Sequence, residues 1–517
     1  MLRVRQVKVK VEEKDKLQNK VASKLGININ NIKSMNILKE SIDARKKPEI
    51  YYVYEVALEL DNYKDIKKND DVEVYIEEKY ELIVTKKLEK RPIIVGSGPA
   101  GLFAAYMLAS YGFNPVIIER GEKIEDRIKS VEDFWNFGKL NLNSNVQFGE
   151  GGAGTFSDGK LNTLVKDKEN RCKKVFEIFV ENGAPKDILY VNKPHIGTDL
   201  LRNVIINMRN RINSFGGKFL YNTTFTDLII EDNALKGIVV NNCEKLYTDT
   251  LILAIGHSAR DTFEMLYKNK LNMSSKPFAI GIRIMHPQDM INKSQYGDNK
   301  LLPPASYKLT HKCSNGRGVY SFCMCPGGFV VNASSEEKRL VINGMSNHDR
   351  DEKCANSAIV VTVSSKDFGD NPLSGIEFQR QLENKAYNVG DGNIPIQLYK
   401  DFKNNTLSNK FGEYEPVIKG NYKFSNINDI FPKYICESLV EAIDSFGTKI
   451  KNFNRDDAII SAIESRTSSP VRIERDDNFE SNIKGIYPIG EGAGYAGGIT
   501  TSAIDGLKVV EKLLKDS

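Results

Sequence analysis

The first part of the chain switches between strand-like and helix-like spacing of its apolar residues. Two stretches alternate apolar with polar positions, at Val7, Val9 and Val11 and later at Tyr52, Tyr54, Val56, Leu58 and Leu60. Alternation with a period of two puts the apolar side chains on one face and predicts strands. Between these stretches, Leu17, Val21 and Leu25 recur at helical spacing, and Gly26 follows as a candidate helix cap. The pattern predicts a small α+β unit that ends at a charged linker.

A different pattern begins at Arg91, where a short apolar run is followed by a glycine-rich turn, a small apolar helix and a second apolar run ending in an acid. This order is that of a dinucleotide-binding unit, in which the helix N-terminus faces the phosphates and the acid accepts hydrogen bonds from a ribose. Gly96 permits the tight turn, Gly98 the approach of a pyrophosphate and Gly101 close packing of the helix on the sheet. The candidate binding residues are Gly96, Gly98, Pro99, Ala100, Gly101, Glu119 and Arg120.

The same plan returns near the C-terminus, in residues 485–512, as an apolar strand, a glycine-rich turn and a helix. NAD dehydrogenases do not need this return. It resembles flavoproteins of the glutathione-reductase type, in which a Gly-Asp or Gly-Glu pair binds the ribityl or pyrophosphate region and the next helix begins at the flavin ring. A helix N-terminus there would stabilise negative charge on the reduced ring. The resemblance implies FAD as the cofactor and adds Gly490, Glu491, Gly498, Ile499 and Thr500 to the candidate binding residues.

Two further segments fit the same cofactor. Residues 248–258 form an apolar strand and turn that resemble the Ala-Thr-Gly segment passing FAD in this superfamily. Residues 145–163 are rich in glycine but are not followed by an apolar helix, so we interpret them as a backbone loop around the isoalloxazine and not as a second dinucleotide site. The candidate binding residues of these segments are Gly151, Gly152, Ala153, Gly154, Gly256 and His257.

Motifs spread over nearly the whole chain resemble one bacterial family, the uncharacterised FAD-dependent or NAD(FAD)-utilising dehydrogenases. They are VQFGEGGAGTFSDGKL, KPHIGTD, GHSARDTF, YSFCMCPGG and VINGMS. The resemblance implies an α/β fold: a FAD-binding Rossmann-like domain of the glutathione-reductase type, an inserted mixed α+β substrate domain and a small N-terminal α+β domain. It implies no particular substrate. More distant resemblances are to geranylgeranyl reductases and other flavoproteins with a single Rossmann domain.

These patterns divide the chain into four segments. Helical periodicity at Asp199–Phe215 belongs to the first FAD-binding segment, and that at Lys433–Phe446 belongs to the inserted one. The predicted segments are residues 1–88 for the N-terminal domain, 89–261 for the first part of the FAD-binding domain, 262–469 for the substrate domain and 470–517 for the return to the FAD-binding domain.

Composition sets broad limits on partners and location. The chain has 517 residues and a formal net charge of +5, with lysines and acids interspersed, so neither nucleic acid nor an anionic membrane is required as a partner. There is no signal-peptide core, and no apolar run approaches the roughly 20 residues that span a bilayer. Seven cysteines without a disulfide pattern suit a reducing compartment. We therefore expect a cytoplasmic protein with a small-molecule substrate. The oligomeric state stays open.

Candidates for catalysis come from the inserted segment, since flavin carries the hydride chemistry and the protein orients the substrate. Cys323 and Cys325 are two positions apart on a predicted strand, so their side chains share a face. They could react at the flavin or simply pack as small apolar residues. Arg283 could hold an anionic substrate and His286 could transfer protons, although a histidine at a strand end also bonds to backbone.

Other candidates keep two interpretations. His195 lies before a helix, and Arg350 faces either the site or solvent. No pattern with metal-ligand spacing occurs, because the chain has neither a CxxC pair nor HxxxH, and we expect no metal site.

The resulting hypothesis is an oxidoreductase that binds FAD tightly but noncovalently and passes electrons between flavin and an unidentified small molecule. NAD(P)H is a candidate donor that would bind transiently, because no second dinucleotide motif is present. Two alternatives remain open: a flavoprotein that acts on RNA or another macromolecule through its N-terminal domain, and a non-catalytic scaffold on a flavoprotein fold.

Overall fold

The N-terminal unit of this computed structural model is an antiparallel sheet with one helix packed on it, as the apolar pattern predicts. The structure describes residues 1–61, 70–163, 165 and 167–515, so residues 62–69 of the first predicted segment and 516–517 of the last lie outside the described residues. Helix Leu17–Leu25 ends at Gly26, whose φ is +70°. Its apolar side chains pack against the sheet. The described strands lie in the order Ile32–Lys46, Glu49–Leu60, Leu2–Lys10 and Val72–Val74.

A parallel sheet of five strands within the described residues carries both glycine-rich turns. In spatial order its strands are Ile486–Pro488, Leu251–Leu253, Ile93–Val95, Val116–Ile118 and Lys218–Leu220. The C-terminal strand pairs with its neighbour in the register Leu251 to Ile486, so the chain returns to this sheet as the repeated pattern predicts. Parallel strands covered on both faces are apolar throughout, and strands Ile93–Val95 and Leu251–Leu253 are fully buried.

Helix Pro99–Ser110 follows the first glycine-rich turn and is buried on nearly all sides. The C-terminal helix Ile499–Leu513 packs on it so closely that a Cβ atom on Gly506 would lie 2.5 Å from the carbonyl oxygen of Ala100. This close approach brings the starts of both helices to the same edge of the sheet. The other helices packed around this sheet are Ile124–Phe137, Arg171–Glu181 and Thr198–Ser214.

The chain passes from the parallel sheet to the inserted region through smaller elements. Helix Arg260–Lys268 packs against strand Phe225–Glu231, and a boundary at residue 261 would divide this helix. Strand Met273–Ser275 then pairs with Val471–Ile473, which places the outgoing and returning chain side by side. The strands of the adjoining antiparallel sheet are Phe225–Glu231, Ala234–Val240 and Glu244–Tyr247.

The inserted region is a mixed sheet with helices packed on it. Helix Lys433–Lys449 contributes to its buried core and extends the predicted helix by one turn at the C-terminus. The described strands of the main sheet are, in order, Thr310–Lys312, Gly318–Cys325, Cys354–Val363, Phe278–Pro287, Ile459–Glu464, Ile394–Leu398 and Tyr422–Phe424. A smaller sheet has the order Ile342–Met345, Phe329–Asn332 and Ile418–Lys419. The remaining helices of this region are Gln288–Tyr296, Ser365–Phe368, Ser374–Val389 and Tyr399–Asn404.

The segment after the N-terminal sheet runs along the C-terminal helix. The backbone amides of Thr85 and Lys86 donate to the carbonyl oxygen of Leu514 at 2.9 and 3.1 Å. The hydroxyl of Tyr80 donates to Glu511 at 2.9 Å. The linker is therefore attached to the helix that begins at the second glycine-rich turn. None of the helices in the described ranges is both long enough and apolar enough to cross a bilayer.

Candidate functional site

One cavity lies at the carboxyl ends of three neighbouring strands of the parallel sheet. It is lined by the turns that follow strands Ile93–Val95, Leu251–Leu253 and Ile486–Pro488, and by the loop of residues 147–160. The inserted region closes the far side with residues around Cys323 and Glu464. The carboxyl edge of an open parallel sheet is where this class of fold binds its ligands. The cavity thus joins segments that are far apart in the sequence.

Gly98 stands at the start of helix Pro99–Ser110 and faces this cavity. A Cβ atom on Gly98 would meet only the Cα atom of Gly152, at an ordinary contact distance of 3.7 Å. Protein packing alone therefore does not demand glycine here, and the free space belongs to the cavity. A helix N-terminus beside such a space favours an anionic group. The residues fit the pyrophosphate of a dinucleotide.

Gly101 has a different role from its neighbours in the same turn. A Cβ atom on Gly101 would lie 2.0 Å from the carbonyl oxygen of Gly96, so glycine is required there for packing. Gly101 does not line the cavity, whereas Gly96, Gly98, Pro99 and Ala100 do.

Glu119 lines the cavity and also holds the turns around it. One carboxylate oxygen accepts hydrogen bonds from the amide and hydroxyl of Ser97, at 3.0 and 2.7 Å. The other accepts the amides of Gly121 and Gly149, both at 3.0 Å. The acid that the sequence assigns to a ribose thus already accepts four hydrogen bonds within the protein. Its position at the end of strand Val116–Ile118 is the predicted one.

Arg120 lines the cavity beside Glu119. Its guanidinium lies 4.4 Å from the centre of the Phe148 ring and donates to Asp261 and Thr262 at 2.9 and 3.0 Å. A flat cation held against an aromatic ring offers a second stacking surface. This geometry suits the adenine end of a dinucleotide.

A buried arginine shapes the glycine-rich loop of residues 145–154, and the sequence analysis missed it. Arg127 is fully buried in helix Ile124–Phe137 and donates to the carbonyl oxygens of Asn145, Val146, Glu150 and Gly152. Burial lowers the pKa of Arg127 to about 9. The only signal in the sequence was a basic residue within the apolar stripe of that helix.

The loop itself places Gly152, Ala153 and Gly154 on the cavity wall but not Gly151, whose amide donates to the carbonyl oxygen of Ser97 at 2.9 Å.

The second glycine-rich turn forms the opposite wall. The amide of Gly490 donates to Asp505 at 2.8 Å, and Glu491, Gly498 and Ile499 line the cavity. Burial raises the pKa of Glu491 to about 7. The hydroxyl of Thr500 instead donates to the carbonyl oxygen of Leu161 at 2.8 Å, outside the lining. The start of helix Ile499–Leu513 therefore meets the cavity as the sequence predicts, but Thr500 supports it from behind.

Gly256 and His257 complete the wall on the central strand. Burial, together with Arg466 and Arg260, lowers the pKa of His257 to about 3, so this imidazole is neutral near pH 7. The two arginines belong to a buried ion cluster, defined here as Arg260, Arg466, Glu336 and Glu383. Glu383 accepts from Arg260 at 2.8 and 2.9 Å and from Arg466 at 3.0 Å. The sequence analysis did not find this cluster, because its members come from four separate segments.

The far end of the cavity brings together several chemically active side chains. Cys323, Asn343, Glu464, Asp158 and Lys160 line it. Of these, Cys323 was a predicted catalytic residue, and Asp158 and Lys160 belong to the predicted loop around the flavin ring, but none of the other four was predicted as an individual site residue. Perturbed carboxyl and thiol groups gathered in one cleft are typical of active sites.

Arg283 and His286 lie on the same strand, Phe278–Pro287, but on opposite faces because they are three positions apart. Arg283 lies behind the cavity wall and donates to Glu464 at 2.8 Å and to the carbonyl oxygen of Cys323 at 3.2 Å. His286 is fully buried in the core, where its Nε2 lies 2.7 Å from the carbonyl oxygen of Phe453. Burial lowers its pKa to about 4. The structure does not bring His286 to the cavity.

The two ambiguous candidates both lie near Asp158. Arg350 donates to this carboxylate at 2.9 and 2.5 Å, so it is paired and does not face solvent freely. Burial alone would raise the pKa of Asp158, but Lys160 and Arg350 outweigh it and hold the pKa below its usual value. His195 stacks on His348 with ring centres 5.3 Å apart. Arg350 thus contacts the loop that carries Lys160, and the backbone of His195 forms a bridge with that of Lys160.

Away from the cavity, within the described ranges, one group has the composition of a metal site. His311, Cys313 and Glu441 each offer a ligand atom, and these atoms lie within 4.8 Å of one another. His311 Nε2 lies 3.0 Å from a Glu441 oxygen. Sequence spacing did not reveal the group, because Glu441 comes from a distant helix.

The buried Glu464 gives a pH-dependent prediction. Burial raises its pKa from 4.5 to about 7, against the effect of Arg283. Since the folded protein favours the neutral acid, this contribution to stability is complete below about pH 4.5 and is lost as the pH rises through about 7. Glu464→Gln should lessen that loss by on the order of 1–3 kcal/mol. Urea unfolding of the FAD-free protein between about pH 4.5 and 8 measures it. Equal pH dependence in both proteins would contradict the raised pKa.

Three family models match parts of the chain. Residues 277–467 match the family described as FAD-dependent protein, C-terminal domain-like. Residues 94–149 match an NAD(P)-binding Rossmann-like domain, and residues 1–59 match a domain of unknown function.

Two solved structures show distant similarity to this chain. Glycine oxidase from Bacillus cereus is 11% identical, with a TM-score of 0.36, and the match covers 82% of this chain and 95% of that one. Glycerol-3-phosphate dehydrogenase from Bacillus halodurans, complexed with FAD, is 11% identical with a TM-score of 0.35, over 82% of this chain and 64% of that one.

A curated relative is much more similar. An uncharacterized protein of Clostridium beijerinckii is 48% identical over 512 residues, which cover 96% of each chain. Together with the matched C-terminal domain, this identity shows that the chain belongs to a family of FAD-dependent proteins with a Rossmann-like domain.

Proposed function

We propose that this protein is an FAD-dependent oxidoreductase that binds FAD noncovalently in the manner of the glutathione-reductase type and acts on a small molecule. The observation that carries the proposal is the continuous cavity from Glu119 and Gly98 to Glu491 and Cys323. One end has the acid, the glycine turn and the helix start that suit an ADP moiety. The other end has ionisable groups that suit chemistry.

When bound, FAD supplies the hydride or electron transfer. The chain's own residues bind, orient and handle protons. The starts of helices Pro99–Ser110 and Ile499–Leu513 both face the cavity, and their amides favour negative charge at the pyrophosphate and at the reduced ring. His257 stays neutral and supports the turn between them. No covalent attachment to the chain is needed.

Two acids at the reacting end suit proton transfer near neutral pH. Burial raises the pKa values of Glu464 and Glu491 to about 7, so each can hold or release a proton under cellular conditions. Lys160 projects from the opposite loop beside Asp158, with 3.7 Å between the charged atoms. This ammonium group is placed to orient an anionic or polar substrate.

The experiment for this proposal is a spectrum of the purified protein, followed by anaerobic titration with NADH and then NADPH. We expect an oxidised flavin band that bleaches with one of the two, because NAD(P)H is the proposed electron donor and would bind transiently. A band that persists would instead indicate a substrate dehydrogenase with another donor. Absence of the band, even after addition of FAD, would contradict the proposal and favour a scaffold.

The alternative function, action on a macromolecule such as RNA, needs a separate test. Salt-sensitive RNA binding that disappears on removal of residues 1–85 would favour a flavoprotein acting on RNA through its N-terminal unit. The net charge of +5 gives no electrostatic reason to expect it.

A further inference from the structure

Cys323 sits at an irregularity in its strand that turns it towards the cavity. The pairing of strand Gly318–Cys325 with Cys354–Val363 is interrupted between Phe322 and Cys325. Cys323 has a φ of +43°, a left-handed backbone conformation that residues other than glycine adopt only at a cost in conformational free energy. Such bulges re-aim side chains next to active sites. Cys323 lines the cavity, while Cys325 is fully buried directly behind it.

The side chain of Cys325 turns back towards Cys323. Cys325 Sγ donates to the carbonyl oxygen of Cys323 at 3.3 Å. The two thiol groups are near enough for each to shift the pKa of the other. Neighbouring thiols of this kind are the groups from which a disulfide can form.

Positive charge around the pair favours a thiolate. The neighbouring thiol of Cys325 lowers the pKa of Cys323 to about 5 against the effect of burial, and Arg283 and Lys160 lower it further. Cys323 and burial in turn raise the pKa of Cys325, so the pair holds one proton between its two sulfurs. By contrast, burial raises the pKa values of the thiols of Cys172, Cys313, Cys354 and Cys436, all of which lie outside the cavity lining.

We propose that Cys323 and Cys325 are a redox-active dithiol that exchanges two electrons with the flavin by forming and breaking a disulfide. The inference deepens the proposed function and rests on it, because the flavin is the partner in the exchange. In one direction the Sγ–Sγ bond forms, the thiolate and the thiol together lose two electrons and one proton, and oxidised flavin takes up both electrons and the proton. In the other direction reduced flavin returns two electrons and one proton, the Sγ–Sγ bond breaks, and the pair is again one thiolate and one thiol.

The geometry gives each sulfur a distinct role. Cys323 faces the cavity and carries the thiolate, so it is the sulfur that meets flavin or substrate. Cys325 is buried and is the resolving thiol, which closes the disulfide with Cys323. Arg283 is a positioning residue, since it donates to the carbonyl oxygen of Cys323 and does not line the cavity.

The first test counts reducing equivalents in the FAD-loaded protein. Anaerobic titration with dithionite should consume about two two-electron equivalents per FAD in the wild type, for flavin and disulfide together. The double variant Cys323→Ala and Cys325→Ala should consume about one. Cys354→Ala, on the neighbouring strand but outside the cavity, is the matched control and should consume about two. FAD content and the thermal unfolding midpoint check that each variant is folded.

A second measurement needs no variant. Trypsin releases Gly318–Lys338, a fragment that contains Cys323 and Cys325 but no other cysteine. In the oxidised flavoprotein, quenched with acid and alkylated, this fragment should carry no alkyl group and be two hydrogens lighter than the dithiol form. After full reduction it should carry two alkyl groups.

The outcomes separate this inference from the proposed function. Two alkyl groups on the fragment while the flavin is oxidised, or uptake of about one equivalent by the wild type, would overturn the dithiol and leave the flavoprotein intact. A protein that binds no FAD would overturn both.

Discussion

Gly98→Val should remove FAD from the protein while leaving the fold in place. The Cβ atom itself fits, since its nearest neighbour would be 3.7 Å away, but the two methyl groups beyond it would occupy the cavity at the helix start. Overlap with a bound pyrophosphate should cost about 3 kcal/mol or more, which raises the Kd for FAD at least about a hundredfold. Flavin content after purification and fluorescence titration with FAD measure this.

Gly318→Val is the matched control for that prediction. Its Cβ atom would also have its nearest contact at 3.7 Å, with Thr362, but it lies at the start of a strand in the inserted region and outside the cavity lining. FAD affinity should be unchanged in this variant. If Gly98→Val and Glu119→Ala both kept the flavin of the wild type, the cofactor site would be misplaced. Loss of flavin in the Gly318 variant as well would mean that the substitutions act through folding.

The second large effect should come from the buried ion cluster, through Glu383→Gln. Glu383 is the partner that Arg260 and Arg466 share, and both arginines are nearly fully buried. The arginines hold its pKa well below the usual value despite burial. Without its charge, the two buried guanidinium groups keep Glu336 as their one anionic partner among the described residues, and breaking a buried pair typically costs about 3–5 kcal/mol. Urea unfolding should show a loss of this size.

Glu264→Gln provides the control for the cluster. Glu264 pairs with Arg380 at 2.7 Å, but its side chain is 50% exposed. Exposed pairs contribute at most about 1 kcal/mol, so this variant should unfold close to the wild type. The Glu383 variant should also shift the flavin spectrum, because Arg466 donates to Ser258 on the cavity wall. A loss of stability under about 1 kcal/mol would show that the cluster does not hold the inserted region to the parallel sheet.

The two predictions test different parts of the same site. The Gly98 substitution tests cofactor binding, because its side chain would fill part of the cavity. The Glu383 substitution tests the contact between the inserted region and the turn that carries His257. Retention of flavin with lost stability in the Glu383 variant would separate binding from assembly.

The sequence by itself determined the elements that local patterns encode. Apolar alternation gave the N-terminal strands, helical spacing gave helix Leu17–Leu25, and the strand, glycine turn and helix at Ile93–Ser110 followed from residues close together in the chain. Such features depend on backbone conformation and side-chain period, which neighbouring residues set. The repeated pattern at the C-terminus also marked its return to the parallel sheet.

The tertiary structure decided which distant residues meet. Arg283 and His286 were both catalytic candidates from one strand motif, but the sheet directs the first towards Cys323 and the second into the core. A strand bulge turned Cys323 into the cavity, and four separate segments supplied the buried ion cluster. These outcomes depend on strand register and on packing between elements, where one position changes the face that a side chain occupies. Local periodicity carries no information about such contacts, so only the folded chain determined the reacting end of the site.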